Sequence, residues 1–237
     1  MADLRPYLHS LIQLVMRIIM KLGIVVLVLG LVAVAVVAGI VVTSTKGSGN
    51  LKTEQRSLNN FTGVKAGGAV EVSVNASADY SVEVTADDNL IHDVITKVED
   101  GVLHISMNDD DHYTNATVRI KIGMLKLESL DIHGASDAKV SNVKTDNLKL
   151  HASGASKIDI SGTATNVKSE VSGASDLTAK YLIAEDLIIK CSGASKATVQ
   201  ATNTLNIHAS GASDVTYIGK PKNLTRESSG ASDISEE

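Results

Sequence analysis

The 237-residue chain has one cysteine, no tryptophan, one phenylalanine and two prolines. A single cysteine cannot close an intrachain disulfide, so no disulfide framework holds the fold. No histidine partner is evident for Cys191, which reads as a small buried apolar side chain rather than a nucleophile. Aromatic residues make up 3% of the sequence, so the core must be built from Val, Ile, Leu and Ala. Flat side chains on which bases or sugar rings stack are correspondingly scarce. The formal net charge of -5 disfavours a nucleic-acid partner.

Charge is absent from one long stretch. Leu22 to Thr43 (LGIVVLVLGLVAVAVVAGIVVT) carries no charged residue. At 1.5 Å per residue such a run crosses a hydrocarbon layer of about 30 Å, and it exceeds the apolar region of a cleaved signal. The reading is an uncleaved membrane anchor over residues 22–43, with cleavage near Val42-Thr43-Ser44 as the alternative. Arg5, Arg17 and Lys21 precede the run against Asp3 alone, which keeps the N-terminus in the cytoplasm. Everything after Ser44 is then outside it, in the periplasm or at the cell exterior. Leu4, Leu8, Leu11, Ile12 and Val15 fall at helical spacing ahead of the run, as in an interfacial helix or an extension of the anchor itself. Setting aside the three basic and one acidic residue of 1–44 leaves 19 basic against 26 acidic, a net of -7.

The remaining chain repeats itself. HGAS at 133 and SGAS at 153, 172, 192, 210 and 229 place Gly134, Gly154, Gly173, Gly193, Gly211 and Gly230 at spacings of 18 to 20 residues. Around each glycine apolar residues alternate with period two, at two, four and six positions before it and at four and six after it. Each repeat is a strand, a tight corner and a second strand. One unit cannot bury its apolar face alone, but stacked units can. The fold class that follows is all-β: a parallel β-solenoid of about 19-residue SGAS repeats, preceded by one transmembrane helix. Glycine turns the corner, the alanine is expected inside it, and the flanking serines are expected to form hydroxyl ladders or to satisfy corner backbone groups.

Stacking also makes a statement about charge. Three residues after the glycines stand Asp137, Lys157, Asp176, Lys196, Asp214 and Asp233, so that the first five alternate in sign along a column. Three before stand Asp131, His151, Glu170, Lys190, His208 and Glu227. Opposite charges on neighbouring strands hold register, because like charges directly opposed are destabilising. In the last copy Arg226, Ser228 and Glu236 replace apolar residues, so residues 224–237 read as a polar cap.

Residues 53–127 read as further strands: 53–61, 69–75, 79–85, 102–107 and 116–123, with Asn89 to Val98 either a short helix or a strand. The opening from Phe61 to Val74, then DYSVEV, then DGVLHI, then the repeated SGASD, together resemble the head GIN domain family of putative auto-transporter adhesins. The resemblance covers about residues 53–237. It implies a right-handed β-helix-like domain exported by bacteria, with no catalytic residues or cofactor to carry over. The chain departs from that pattern in lacking a lipobox cysteine. The organisation expected is an amphipathic segment and anchor over 1–44, a flexible linker over 45–52, irregular early rungs over 53–127 (a separate small β-domain being the alternative), and regular repeats with a cap over 128–237.

Few residues point to chemistry. Asp109, Asp110 and Asp111 beside His112 form the densest oxygen cluster, a candidate for Ca²⁺ whose spacing matches neither an EF-hand nor an RTX repeat. The plainer reading is a solvated hairpin turn. His151 and His208 lie three rungs apart, about 14 Å at ladder spacing, too far to share a metal. No G-x-S-x-G elbow accompanies the repeated serines. No cofactor is expected. The function that follows is a membrane-anchored extracytoplasmic module of the bacterial envelope that binds or scaffolds, its partner an envelope protein or a surface glycan. The rivals are a polysaccharide-active β-helix enzyme centred on Asp109 and Asp111, and an envelope signalling module.

Overall fold

A computed structural model of the chain describes residues 44–108 and 112–237. The amphipathic segment, the apolar run 22–43 and the Asp109, Asp110, Asp111 cluster lie outside the described residues. Among the described residues there is no helix long and apolar enough to cross a membrane; every regular element is a strand. The base holds β1 (Ser44–Lys46), β2 (Leu51–Arg56), β3 (Gly63–Ala66), β4 (Glu71–Asn75), β5 (Ser81–Asp87), β6 (Val94–Glu99), β7 (Val102–Met107), β8 (His112–Thr114) and β9 (Val118–Gly123). The regular part holds β10 (Ser129–Ile132), β11 (Asp137–Ala152), β12 (Lys157–Val171), β13 (Asp176–Cys191) and β14 (Lys196–Ala209). It ends with β15 (Asp214–Ile218), β16 (Asn223–Ser228) and β17 (Asp233–Glu236).

From β10 upward every pairing is parallel, in a solenoid of about five turns. The β11–β12 ladder shows how a rung is laid out. It pairs Asp137–Val140, then Val143–Thr145, then Asn147–Ala152, with a register shift between Val140 and Val143 and the pairing skipped at Asp146. Each full rung thus has three flat sides rather than the two that period-two patterning suggests. Asn142 takes a φ of 60° at the shift, and Gly162, the partner of Val143 one rung up, a φ of 138°. The third side is short and its corner varies between rungs, so it leaves no clear repeat in the sequence.

The alternating residues fill the interior. Val64, Leu130, Leu150, Ile189 and Ile207 form one buried column, and Val72, Ala138, Ile158, Leu177, Ala197 and Val215 another. Burying each Leu, Ile or Val contributes about 1.5–3 kcal/mol. Ser169 interrupts the first column: it is 1% exposed, and its hydroxyl has no hydrogen-bond partner among the described residues.

The glycine corner is a close backbone contact repeated at every rung of the stack. Gly173 has a φ of 75°, and a Cβ there would stand 2.4 Å from the Gly154 carbonyl oxygen. Gly134 meets Gly68 in the same way, and Ala135 N–H donates to the Gly68 carbonyl at 2.7 Å. Gly67-Gly68-Ala69-Val70 is therefore the first corner of the solenoid, separated in sequence from the second by the excursion through β5 to β9. The alanine after each glycine points outward and is exposed, in contrast to its expected place inside the corner. The buried corner residue is the following serine: Ser136, Ser156, Ser175, Ser195 and Ser213 are all 0–2% exposed. A tight turn at positive φ reverses which side chain faces inward. Ser156 Oγ donates to the Ile132 carbonyl at 3.2 Å and lies 3.2 Å from Ser175 Oγ. At the base Val70 takes the same position and needs no partner.

The base corrects one expectation outright. Residues 45–52 are not a flexible linker. β1 pairs in parallel with β8, and β2 pairs antiparallel with β5, from Leu51 opposite Asp87 to Arg56 opposite Val82. Between them, Gly49 N–H donates to Asp87 Oδ1 at 2.7 Å and Ser48 N–H to Asn89 Oδ1 at 3.0 Å. Asp87 is 1% exposed and also accepts from Thr117 N–H at 2.7 Å. Asn89 to Val98 resolves into turns followed by β6, with Leu90 and Ile91 N–H both bonded to the Asp87 carbonyl. Phe61 lies beyond the end of β2, fully buried against Tyr80, whose hydroxyl donates to the Phe61 carbonyl at 3.1 Å. At the other end β16 is exposed along its whole length, and Tyr217 bonds Glu236 at 3.3 Å.

Two measurements check this account. Gly173→Ala should lower stability to chemical denaturation by at least about 2 kcal/mol. Gly49→Ala should cost only about 1–2 kcal/mol, because its φ of 82° is equally unsuited to alanine but nothing lies within 4 Å. Equal effects would show that the glycine stack is not close-packed. Hydrogen bonds from Thr117 and then Gly49 hold the Asp87 carboxyl below its ordinary range. A depressed folded-state pKa stabilises above the unfolded value of about 4, and that stabilisation is lost as pH falls through the folded value. Asp87→Asn should therefore be destabilised by a constant amount at neutral pH, with the gap to wild type narrowing below about pH 4. A gap independent of pH would mean that the charge of Asp87 plays no part.

Candidate functional site

A charged concavity runs along one side of the glycine corner. Its tall wall is the column three residues before each glycine. The ladders place Asp131 beside His151, His151 beside Glu170, Glu170 beside Lys190, Lys190 beside His208 and His208 beside Glu227. The base extends it downward through Lys65, paired with Asp131 at 3.0 Å, and His104. Its low side is the column directly before the glycines, Ser172, Ser192, Ser210 and Ser229. The long charged side chains and the short serines leave a groove of about 610 Å³ between His151 and Glu227. Strand geometry explains the pairing of columns: residues two apart point to the same face.

The groove is unevenly committed. His208 Nδ1 lies 2.8 Å from Glu227 Oε2, and Lys168 Nζ lies 3.9 Å from Glu170 Oε1. Ser210 Oγ donates to the Cys191 carbonyl at 3.3 Å. Behind the serines Cys191 is 2% exposed, and burial pushes its thiol up to about 11, so it stays a neutral thiol. His151 and His208 stand three rungs apart with Glu170 and Lys190 between them. Among the described residues no three His, Cys, Asp or Glu side chains gather as a metal site.

The second charged column lies on the far side of the corner. The register sets Asp137 opposite Lys157, Lys157 opposite Asp176, Asp176 opposite Lys196 and Lys196 opposite Asp214. Their side chains are exposed neighbours; among the described residues no ion pair of 4.0 Å or less joins them. The alternation stops at both ends, where Asp214 meets Asp233 and Asp137 meets Glu71. Glu71 is compensated from below by Arg119, at 3.0 Å.

Sequence reasoning missed the lower members of the groove column, Lys65 and His104, and the parallel row of Lys149 and Lys168. Aligning Gly68 with the later corners places Lys65 three residues before it, so the first was within reach. His104 was not, because β7 joins the stack with no glycine corner of its own. A second cavity of about 650 Å³ lies over Ser73, Lys121, Lys139 and Asp159 on the adjoining side, where Lys121 pairs with Glu83 at 3.0 Å.

Comparison with known proteins gives the fold a context. The family described as putative auto-transporter adhesin, head GIN domain, matches residues 60–221. A crystal structure of a putative adhesin from Bacteroides fragilis superposes with a TM-score of 0.67 at 20% identity, covering 81% of this chain and all of that one. A putative lipid binding protein from Parabacteroides distasonis superposes with a TM-score of 0.51 at 18% identity, covering 82% of this chain and 99% of that one. No curated protein matches the chain. With glycine corners, stacked rungs and the matched span in hand, the chain belongs to the head GIN domain family of putative auto-transporter adhesins.

Proposed function

We propose that the chain is an adhesion-like binding module of a bacterial envelope, held in the cytoplasmic membrane by residues 22–43 with the solenoid outside the cytoplasm. Membership of a family described as adhesins, rather than as enzymes, supports binding over catalysis. One observation carries the reading: the groove from His151 to Glu227 repeats the same two kinds of side chain at each rung, a long charged or imidazole side chain in one column and a hydroxyl in the next. Repetition at about 4.8 Å suits an extended ligand that meets several rungs at once. A catalytic centre needs its groups converged on one point. The net charge of -7 over all residues after 44 favours a solvated surface.

Two experiments test this. The full-length chain in detergent micelles should bind isolated envelope material saturably, and Glu170→Lys combined with Lys190→Glu should abolish the binding. The double reversal keeps opposite signs on adjacent rungs, so the stack is spared while the groove pattern is inverted. Absent or non-saturable binding, or binding that survives the reversal, would overturn the reading. Alkaline carbonate extraction should leave the full-length chain in the membrane pellet, as an apolar span of this length requires. Release into the supernatant would overturn the anchor.

A further inference from the structure

The side of the solenoid that carries the groove differs in charge from the domain around it. Its outward columns hold Lys65, Lys149, Lys168 and Lys190 against Asp131, Glu170 and Glu227. With Asp186 at the edge of the same flat segment, four cations stand against four carboxylates, a balanced side on a domain whose net charge is -7. His104, His151 and His208 stand in the same column and add ring nitrogens rather than negative charge.

Within the groove, the side-chain pairings leave a gap at its centre. Lys65 is taken by Asp131 and His208 by Glu227. Lys190, in the middle, has Glu170 and His208 as register neighbours, yet closes no ion pair and no hydrogen bond among the described residues. The hydroxyls of Ser172 and Ser192 beside it are equally uncommitted. One ammonium flanked by two free hydroxyls and a carboxylate one rung away is a recognition set for an anionic, hydroxyl-rich molecule.

The backbone narrows the occupant further. The strands under the groove are interior members of the parallel ladder, so their N–H and C=O groups already bond the rungs above and below. A peptide that binds by adding a strand needs an open edge, and there is none at this point. Recognition must come from side chains alone. Neutral sugar rings would require aromatic platforms, and the groove has no aromatic residue.

We propose that the groove binds an acidic polysaccharide lying along the solenoid axis. Lys190 holds a carboxylate or sulfate of the polymer, and Ser172, Ser192 and Glu170 take its ring hydroxyls. Five rungs between His151 and Glu227 give four ladder steps, a contact about 19 Å long. The assignment rests on the domain being a binding module and names the chemistry of its ligand.

The test uses the full-length chain in detergent micelles against polygalacturonate, dextran sulfate, neutral dextran and poly-glutamate. One or both acidic glycans should bind saturably, the comparison showing whether carboxylate or sulfate is preferred. Neutral dextran should not bind, and raising the salt concentration should weaken the interaction. Lys190→Gln should weaken it about tenfold. Lys144→Gln, on the third side of the solenoid, should leave it unchanged. Circular dichroism of Lys190→Gln matching wild type separates lost contact from lost fold. Binding of neutral dextran as tight as that of the acidic glycans, no effect of Lys190→Gln, or equal affinity for poly-glutamate would each overturn the ligand class. If envelope material still binds saturably and charge reversal still abolishes it, only the ligand class has failed. If nothing binds, the binding-module reading fails with it.

Discussion

The solenoid depends on how closely its corners approach one another. At each rung the chain turns at a glycine with φ near +75°, and the carbonyl of the glycine below lies where a Cβ would be. The next residue's N–H then reaches that carbonyl at 2.7–2.8 Å, rung after rung from Ala135 to Ala231. Removing the Cβ is what lets the backbone hydrogen bonds of the flat sides continue around the bend without a break. An L-residue would meet both penalties together, the left-handed backbone and the collision. The apolar columns supply most of the stabilisation, but they would tolerate sliding. The corner fixes each rung directly above the last.

Electrostatics then decides between registers that the apolar columns alone would accept. Leu, Ile and Val columns are alike enough that a one-rung slip changes little in the interior. On the surface it would bring Asp137 to Asp176 and Lys157 to Lys196. Exposed pairs contribute only about 0–1 kcal/mol each, so the effect is on the choice among alignments more than on total stability. This fits the geometry, in which the column members are neighbours without closing ion pairs. It also explains why the compensation becomes explicit at the base, where Arg119 bonds Glu71 at 3.0 Å below the like pair Glu71 and Asp137.

Much of this was legible because a stacked repeat writes its three-dimensional neighbours into a one-dimensional spacing. The glycines alone aligned Asp137 with Lys157 and Lys157 with Asp176, and both are register partners. What escaped falls into two kinds. The outward alanines and inward serines follow from the turn at positive φ, which period-two counting does not represent. The base follows from single, unrepeated contacts: Asp87 drawing in Gly49 and Thr117, and Phe61 buried under Tyr80. Gly47-Ser48-Gly49-Asn50 has the composition of a flexible linker. It is ordered because carboxylate and amide side chains forty residues away receive its N–H groups. The groove was half visible: its upper column could be read from the repeats, while the concavity itself could not, because nothing in a spacing reports height.

That height difference links the stacking constraint to the site. Glycine is required at the corner, and in the upper rungs Ala and Ser beside it leave the surface low, whereas His133 stands in the serine position of the first repeat. Two residues before Ser172, Ser192 and Ser210, the same face carries Glu170, Lys190 and His208, side chains long enough to stand above it. A trough therefore runs beside the corner where serines precede the glycines, from Ser172 to Ser229, and its floor is filled only by lengthening a side chain at the bend. The fold creates the groove as a consequence of turning. What remains open to variation is the chemistry of its tall wall, one side chain per rung. Any change there is felt by the rungs above and below, so the wall is most readily altered in opposite-signed pairs. A ligand that reads this wall must match a sequence of charges along the axis, and its specificity would grow with the number of rungs it spans.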